Sequence, residues 1–186
     1  MSFNLPNRLT LLRLILSSLC VAAIVFPISD GDILWRVIAV VLFSVASFTD
    51  FLDGHLARKH KLVTDFGKFM DPVADKILVL GTMLALLARY RRDGLFCRIF
   101  VWAVFALLLR ELAVTSLRMV AAQKSGVVIA AAWVGKVKTV SQIVCVLMLL
   151  VLGPCPVSYI AVGFMTAMTL YSGWTYLVAY WPLLKE

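Results

Sequence analysis

Apolar residues fill six stretches of this chain, at roughly 9–28, 33–53, 67–89, 96–121, 133–153 and 157–182, with short polar or Gly/Pro segments between them. From Thr139 to Leu184 no residue carries a formal charge, and only the turn GPCP, Gly153 to Pro156, divides that run into two. Lipid leaves no partner for the backbone groups of an open strand, so segments of this kind are helices. The pattern predicts an all-α integral membrane protein of six transmembrane helices, a single domain over residues 1–186.

The lengths of the uninterrupted runs sharpen that expectation. Crossing hydrocarbon takes about 20 residues, but Val37 to Thr49 offers thirteen, Ile77 to Ala88 twelve, Ile99 to Leu109 eleven and Thr139 to Leu152 fourteen. To span, the second helix must run on through Asp50 and Asp53, and the third must begin before Asp71 and Asp75. The fourth must continue past Arg110 and Glu111, and the fifth must start before Lys136 and Lys138. These charges therefore belong to the helices. Ionisable groups at membrane depth are costly unless they face a wet or protein-lined cavity, which predicts a polar cavity open to the cytoplasmic leaflet.

Composition agrees with the pattern. The chain of 186 residues is 62% hydrophobic and only 15% charged, far from soluble usage. Its net charge of +8 points to anionic lipid or anionic substrates rather than nucleic acid. With the N-terminus cytoplasmic, thirteen Lys/Arg fall on the cytoplasmic side and five opposite, namely Arg36, Arg89, Arg91, Arg92 and Arg98. The location this suggests is a bacterial inner membrane with the N-terminus and the active site facing the cytoplasm. The arginine loop ARYRRDG, Ala88 to Gly94, fits only as an interfacial anchor or a contact with outer-leaflet lipid. Arg8 and Arg13 before an apolar run look superficially like a signal peptide, but large Leu19 precedes Cys20 and further spans follow at once. The four cysteines show no CxxC pairing.

Candidate chemistry lies between Thr49 and Lys76. Asp50 and Asp53 are three residues apart and Asp71 and Asp75 four apart, so each pair shares a face of its own helix. Four converging carboxylates repel one another unless divalent cations neutralise them. An all-oxygen donor set favours Mg²⁺ or Mn²⁺ over zinc. The blander account is helix capping or pairing with Lys59, Lys61, Lys68 and Lys76, and for Asp65, near the start of the third helix, capping is the better one. Gly54, Ala57 and Gly67 allow close backbone approach, and Arg58 offers a fork of donors to a phosphate. Pro72 is harmless in a first turn, which puts the regular start of the third helix close to Asp71.

Written as spacing, these residues read DxxDGxxARx8GxxxDxxxD, eight fixed positions over 26 residues. The pattern resembles the signature of the CDP-alcohol phosphotransferase family. That resemblance implies six membrane helices, a homodimer, two metal ions held by Asp50, Asp53, Asp71 and Asp75, and transfer of a phosphatidyl group from a CDP-activated lipid, CDP-diacylglycerol, to an alcohol with release of CMP. It also implies that Asp75 is the general base and that Gly54, Arg58 and Thr64, with Asp50, Asp53 and Ala57, contact the CDP moiety. His55 as a covalent nucleophile is a weaker alternative.

Beyond the signature, FNLPNRLTLLR (Phe3 to Arg13), VGKVKT (Val134 to Thr139), the pair Arg110 and Glu111, and Arg118 are similar to family members that use glycerol 3-phosphate as acceptor. Arg110, Arg118, Lys136 and Lys138 lie at the cytoplasmic ends of the fourth and fifth helices, where a doubly charged phosphate can be held. Headgroup anchoring by snorkelling side chains is the structural alternative. Other acceptors (inositol, serine or phosphatidylglycerol) and, from another class, an ion-coupled transporter remain open at this point.

Overall fold

In a computed structural model the backbone is described for residues 5–26, 32–60, 65–125 and 133–184, and side chains for 7–26, 33–50, 70–121 and 133–181. These residues form six α-helices: α1 Leu5–Val25, α2 Asp32–His60, α3 Asp65–Arg89, α4 Gly94–Ser125, α5 Trp133–Leu152 and α6 Pro156–Leu184. Each expected charge is inside its helix: α2 runs ten residues past Asp50, α3 starts six before Asp71, α4 continues beyond Glu111 and α5 opens before Lys136. Three helices are long and apolar enough to cross a membrane by length and composition, over Asn7–Val25, Ile33–Asp50 and Trp133–Leu152.

One boundary differs from expectation. Helix α3 begins at Asp65, so Pro72 lies inside it rather than in its first turn. Proline withholds a single N–H, the one owed to the Lys68 carbonyl. So near a helix end, the loss of that bond does not stop the helix.

The chain folds as two compact units, Met1–Arg92 with Val146–Gly153, and Asp93–Cys145 with Pro154–Glu186. In the first, α1 packs along both α2 and α3. The buried face of α1 reads Asn7, Thr10, Arg13, Ser17, Cys20 and Ile24, steps of three and four that trace one helical stripe. Its outward face carries Leu12, Ile15 and Leu19. Polar inside and apolar outside is the reverse of a helix in water, and it suits a helix whose outer solvent is lipid. Small side chains, Ala39 and Ala46 on α2 and Ala74 on α3, are buried and permit close helix approach.

In the second unit α4 packs against α6. The buried positions of α6, Ser158, Val162, Met165, Thr169, Ser172, Tyr176 and Tyr180, again step by three and four. Phe96 of α4 stacks on Phe100 and meets Tyr159 edge-on, with centroids 5.6 and 5.1 Å apart. Three buried hydroxyls find partners inside their own helices: Ser17 donates to the Arg13 carbonyl, Thr82 to Leu78 and Thr169 to Met165. Such back-bonding satisfies a polar group where no water is available. With apolar side chains turned outward on all six helices, the chain is an integral membrane protein.

Candidate active site

Helix α1 organises the carboxylates. Thr10 donates through Oγ1 to Asp71 Oδ1 at 2.6 Å, and Arg13 NH1 lies 2.6 Å from Asp50 Oδ1. Thr10 and Arg13 are three residues apart, hence neighbours on one face, with Cβ atoms about 5–6 Å apart. Asp50 of α2 and Asp71 of α3 are therefore held at one turn of α1. The Arg13 side chain is 0% exposed and that of Asp50 44%. The guanidinium is thus a fixed internal countercharge, while the acid keeps an open side for a ligand. Asp75 follows Asp71 by four residues in α3, on the same face, and is half-buried.

Asp53, Gly54, Ala57 and Arg58 belong to the α2 helix and Gly67 to α3, but their side chains fall outside the described residues, as does the whole of Thr64. The capping expected of Asp65 falls outside them too, although the residue does open α3. Among the described residues no three His, Cys, Asp or Glu side chains group as metal ligands; the Asp53 side chain is not among those described.

The second unit assembles cations around one acid. Glu111 Oε1 accepts from Arg110 NH1 at 3.0 Å and from Lys138 Nζ at 2.5 Å. Arg110 also donates through NH2 to Ser172 Oγ at 2.7 Å, and Arg118 NH2 donates to the Tyr176 hydroxyl at 2.7 Å. Both guanidinium groups lie over the Tyr176 ring, 5.4 and 4.9 Å from its centroid, the geometry of cation–π attraction. Gly173 makes room for this: a Cβ there would sit 3.1 Å from Arg110 Cγ. Arg110, Arg118 and Lys138 thus lie in one unit with the carboxylate of Glu111 between two of them. Lys136 behaves differently. It is exposed, with its ammonium 5.8 Å from the Trp133 ring centroid. Residues two apart do not share a helix face, which is why Lys138 turns inward and Lys136 does not.

Sequence reading did not single out Thr10 as a carboxylate partner, nor Arg13, Ser172 or Tyr176. A signal did exist for α1, where Asn7, Thr10, Arg13 and Ser17 repeat at helical spacing in an otherwise apolar segment. Tyr176 and Ser172 carry no comparable sign, because hydroxyls are common along α6.

The chain is thus a helical membrane protein that brings Asp50 and Asp71 to one turn of α1 in its first unit and gathers cations around Glu111 in its second. A family model described as CDP-alcohol phosphatidyltransferase matches residues 3–180, and the chain belongs to that family. It is 37% identical to the CDP-diacylglycerol–glycerol-3-phosphate 3-phosphatidyltransferase of Bacillus subtilis (strain 168), covering 98% of each chain. It is similar at 37% to the protein of that name from Escherichia coli (strain K12), and at 35% to that from Salmonella choleraesuis (strain SC-B67), covering 96% of each chain in both cases. The arginine-containing loop, the N-terminal segment and the signature thus all fall within one continuous likeness.

Proposed function

We propose that this chain transfers the phosphatidyl group of CDP-diacylglycerol to the primary hydroxyl of sn-glycerol 3-phosphate, giving phosphatidylglycerophosphate and CMP. The observation that carries the reading is the end-to-end likeness to bacterial enzymes named for that reaction, over 96–98% of both chains. Arg110, Arg118 and Lys138, three cations beside the single acid Glu111, suit an acceptor that is itself a phosphate monoester better than serine or inositol.

The carboxylates fit two divalent cations, Mg²⁺ or Mn²⁺. Asp50 and Asp71 come from different helices to one turn of α1, and an all-oxygen donor set suits a hard ion. Asp50, Asp53, Asp71 and Asp75 are the proposed ligands. When bound, the ions offset charge on the pyrophosphate and steady the attacking and leaving oxygens. Arg13 and Thr10 orient Asp50 and Asp71 for this role. Gly54 and Ala57 let the CDP moiety approach the backbone, Arg58 forks onto a phosphate, and Thr64 completes the nucleotide set.

Asp75 takes the proton from the acceptor hydroxyl. The freed oxygen bonds to the phosphorus attached to diacylglycerol as the bond to CMP breaks, and CMP leaves with the electron pair. Arg110, Arg118 and Lys138 grip the acceptor's phosphate, with Lys136 at the rim of that set. The same reading makes all six helices membrane spans around a polar cavity open to the cytoplasmic leaflet. The N-terminus faces the cytoplasm of a bacterial inner membrane, which the thirteen-to-five distribution of Lys/Arg supports. A homodimer follows from the family resemblance.

Purified protein in detergent–lipid micelles, given CDP-diacylglycerol and glycerol 3-phosphate, is expected to release CMP. Chelation should stop the release, and Mg²⁺ or Mn²⁺ should restore it. Release with serine, inositol or phosphatidylglycerol but not with glycerol 3-phosphate overturns the acceptor; metal-independent release overturns the role of the aspartates.

A further inference from the structure

We propose that Ser172, Gly173 and Tyr176 of α6 are positioning residues for the acceptor's phosphate: they do not bind it, and together they fix the guanidinium groups of Arg110 and Arg118 that hold it. The inference rests on the acceptor reading given above and adds a helix to which that reading assigns no part.

This stretch of α6 reads YSGWTY, Tyr171 to Tyr176. Ser172 and Tyr176 are four residues apart and Gly173 and Tyr176 three, so all three share one helical face. That face is the inner one. Ser172 is 0% and Tyr176 3% exposed, whereas Tyr171 and Trp174, at 56% and 64%, turn outward. Helix α4 packs against α6 and brings Arg110 and Arg118 to it. Eight residues separate the two arginines, about 12 Å along α4, yet both guanidinium groups come to the same ring.

A long charged side chain at membrane depth reaches for the headgroups unless something holds it. Each α6 residue removes one such freedom. Ser172 Oγ accepts from Arg110 NH2 at 2.7 Å. Gly173 lets the Arg110 stem lie close, since a Cβ there would sit 3.1 Å from Arg110 Cγ. The Tyr176 hydroxyl accepts from Arg118 NH2 at 2.7 Å, and its ring underlies both groups, 5.4 and 4.9 Å from the centroid. The same hydroxyl lies against α5, 3.4 Å from where a Cβ on Gly135 would be, so Tyr176 also meets the helix that carries Lys138. Arg118 is exposed, and of the five N–H groups on a guanidinium the Tyr176 hydroxyl takes one; this is the outward fork. Arg110, with a side chain 9% exposed and NH1 turned to Glu111, backs it with charge. A fork held in place before its ligand arrives loses less freedom on binding. Such a gain lowers KM and leaves the chemical step alone.

Steady-state CMP release at saturating CDP-diacylglycerol, with glycerol 3-phosphate varied, tests this. Gly173→Ala keeps the helix and sets a methyl against the Arg110 stem. It should raise KM for glycerol 3-phosphate about three- to tenfold, part of one charge-assisted contact, with kcat and the KM for CDP-diacylglycerol retained. In an Arg110→Ala background there is no Cγ to displace, so adding Gly173→Ala should change kcat/KM no further. Tyr176→Phe keeps the ring and decides the matter if Gly173→Ala does not fold; a rise of about a few-fold in the same KM is expected. Unchanged KM in both variants, an equal loss from Gly173→Ala with and without the Arg110 side chain, or a fall in kcat with KM retained overturns the positioning role. Wild-type protein that releases CMP with another alcohol but not with glycerol 3-phosphate strikes the acceptor reading itself, and this proposal with it.

Discussion

The two units solve one electrostatic problem with opposite signs. In the first, a fully buried cation, Arg13, is set against a half-exposed acid, Asp50. In the second, a mostly buried acid, Glu111, is set between Arg110 and Lys138. Like charges gathered at membrane depth are unstable without internal compensation, and each unit sets one such countercharge within reach of the opposite sign. Among the described contacts Asp50 meets the guanidinium of Arg13 and Asp71 the hydroxyl of Thr10, both on α1, whereas Arg110 and Lys138 meet the single carboxylate of Glu111. The opposite signs suit the ligands proposed above: divalent cations for the acids, a phosphate for the bases.

Removing the proposed base should break the comparison most severely. Asp75→Asn is expected to lower CMP release by about 10²–10⁴-fold with helicity and elution volume unchanged; near-normal turnover would mean that another group takes the proton. Next in size is the acceptor cluster. Lys138→Met should raise KM for glycerol 3-phosphate by about 10–100-fold, the value of one charge-assisted contact, whereas exposed Lys136→Ala should raise it only a few-fold. Equal effects from the two lysines would dissolve the distinction between the inward and outward faces of α5.

Arg13→Leu tests the other side. It removes the internal countercharge, but Asp50 is part-exposed and water screens the loss, so destabilisation of about 1–3 kcal/mol is expected, below that for a fully buried pair. Thermal unfolding in chelator measures it, and an unchanged midpoint would demote the pair to a surface contact. Tyr176→Phe should act most weakly. Loss of the hydroxyl that Arg118 bonds costs about 1 kcal/mol, a few-fold in KM with kcat retained, because the ring that both arginines overlie remains.

Much of this was legible from spacing. Runs of eleven to fourteen apolar residues are too short to span, so the helices had to include Asp50, Asp71, Arg110 and Lys138, and all four lie within helices. The pairing of Asp50 with Asp53 and of Asp71 with Asp75 follows from a period of 3.6 residues. Less was legible where contacts join distant segments. Thr10 and Asp71 are 61 residues apart, and Arg118 and Tyr176 are 58 apart; no periodicity within one helix names a partner on another. The arginine loop resisted interpretation for the same cause, since Tyr90 bonds the Leu149 carbonyl of α5 and Arg89 lies over the Trp35 ring of α2.

Hydropathy and the spacing of charges determined by themselves that the chain is helical, membrane-borne and equipped with two acid pairs on successive helices, because those properties depend on local period and on the solvent of the backbone. Which groups hold those acids, which lysine of two turns inward, and how Arg36 and Arg89 come to share the Trp35 ring were decided only when the helices packed. Packing brings together side chains that the chain itself keeps dozens of residues apart.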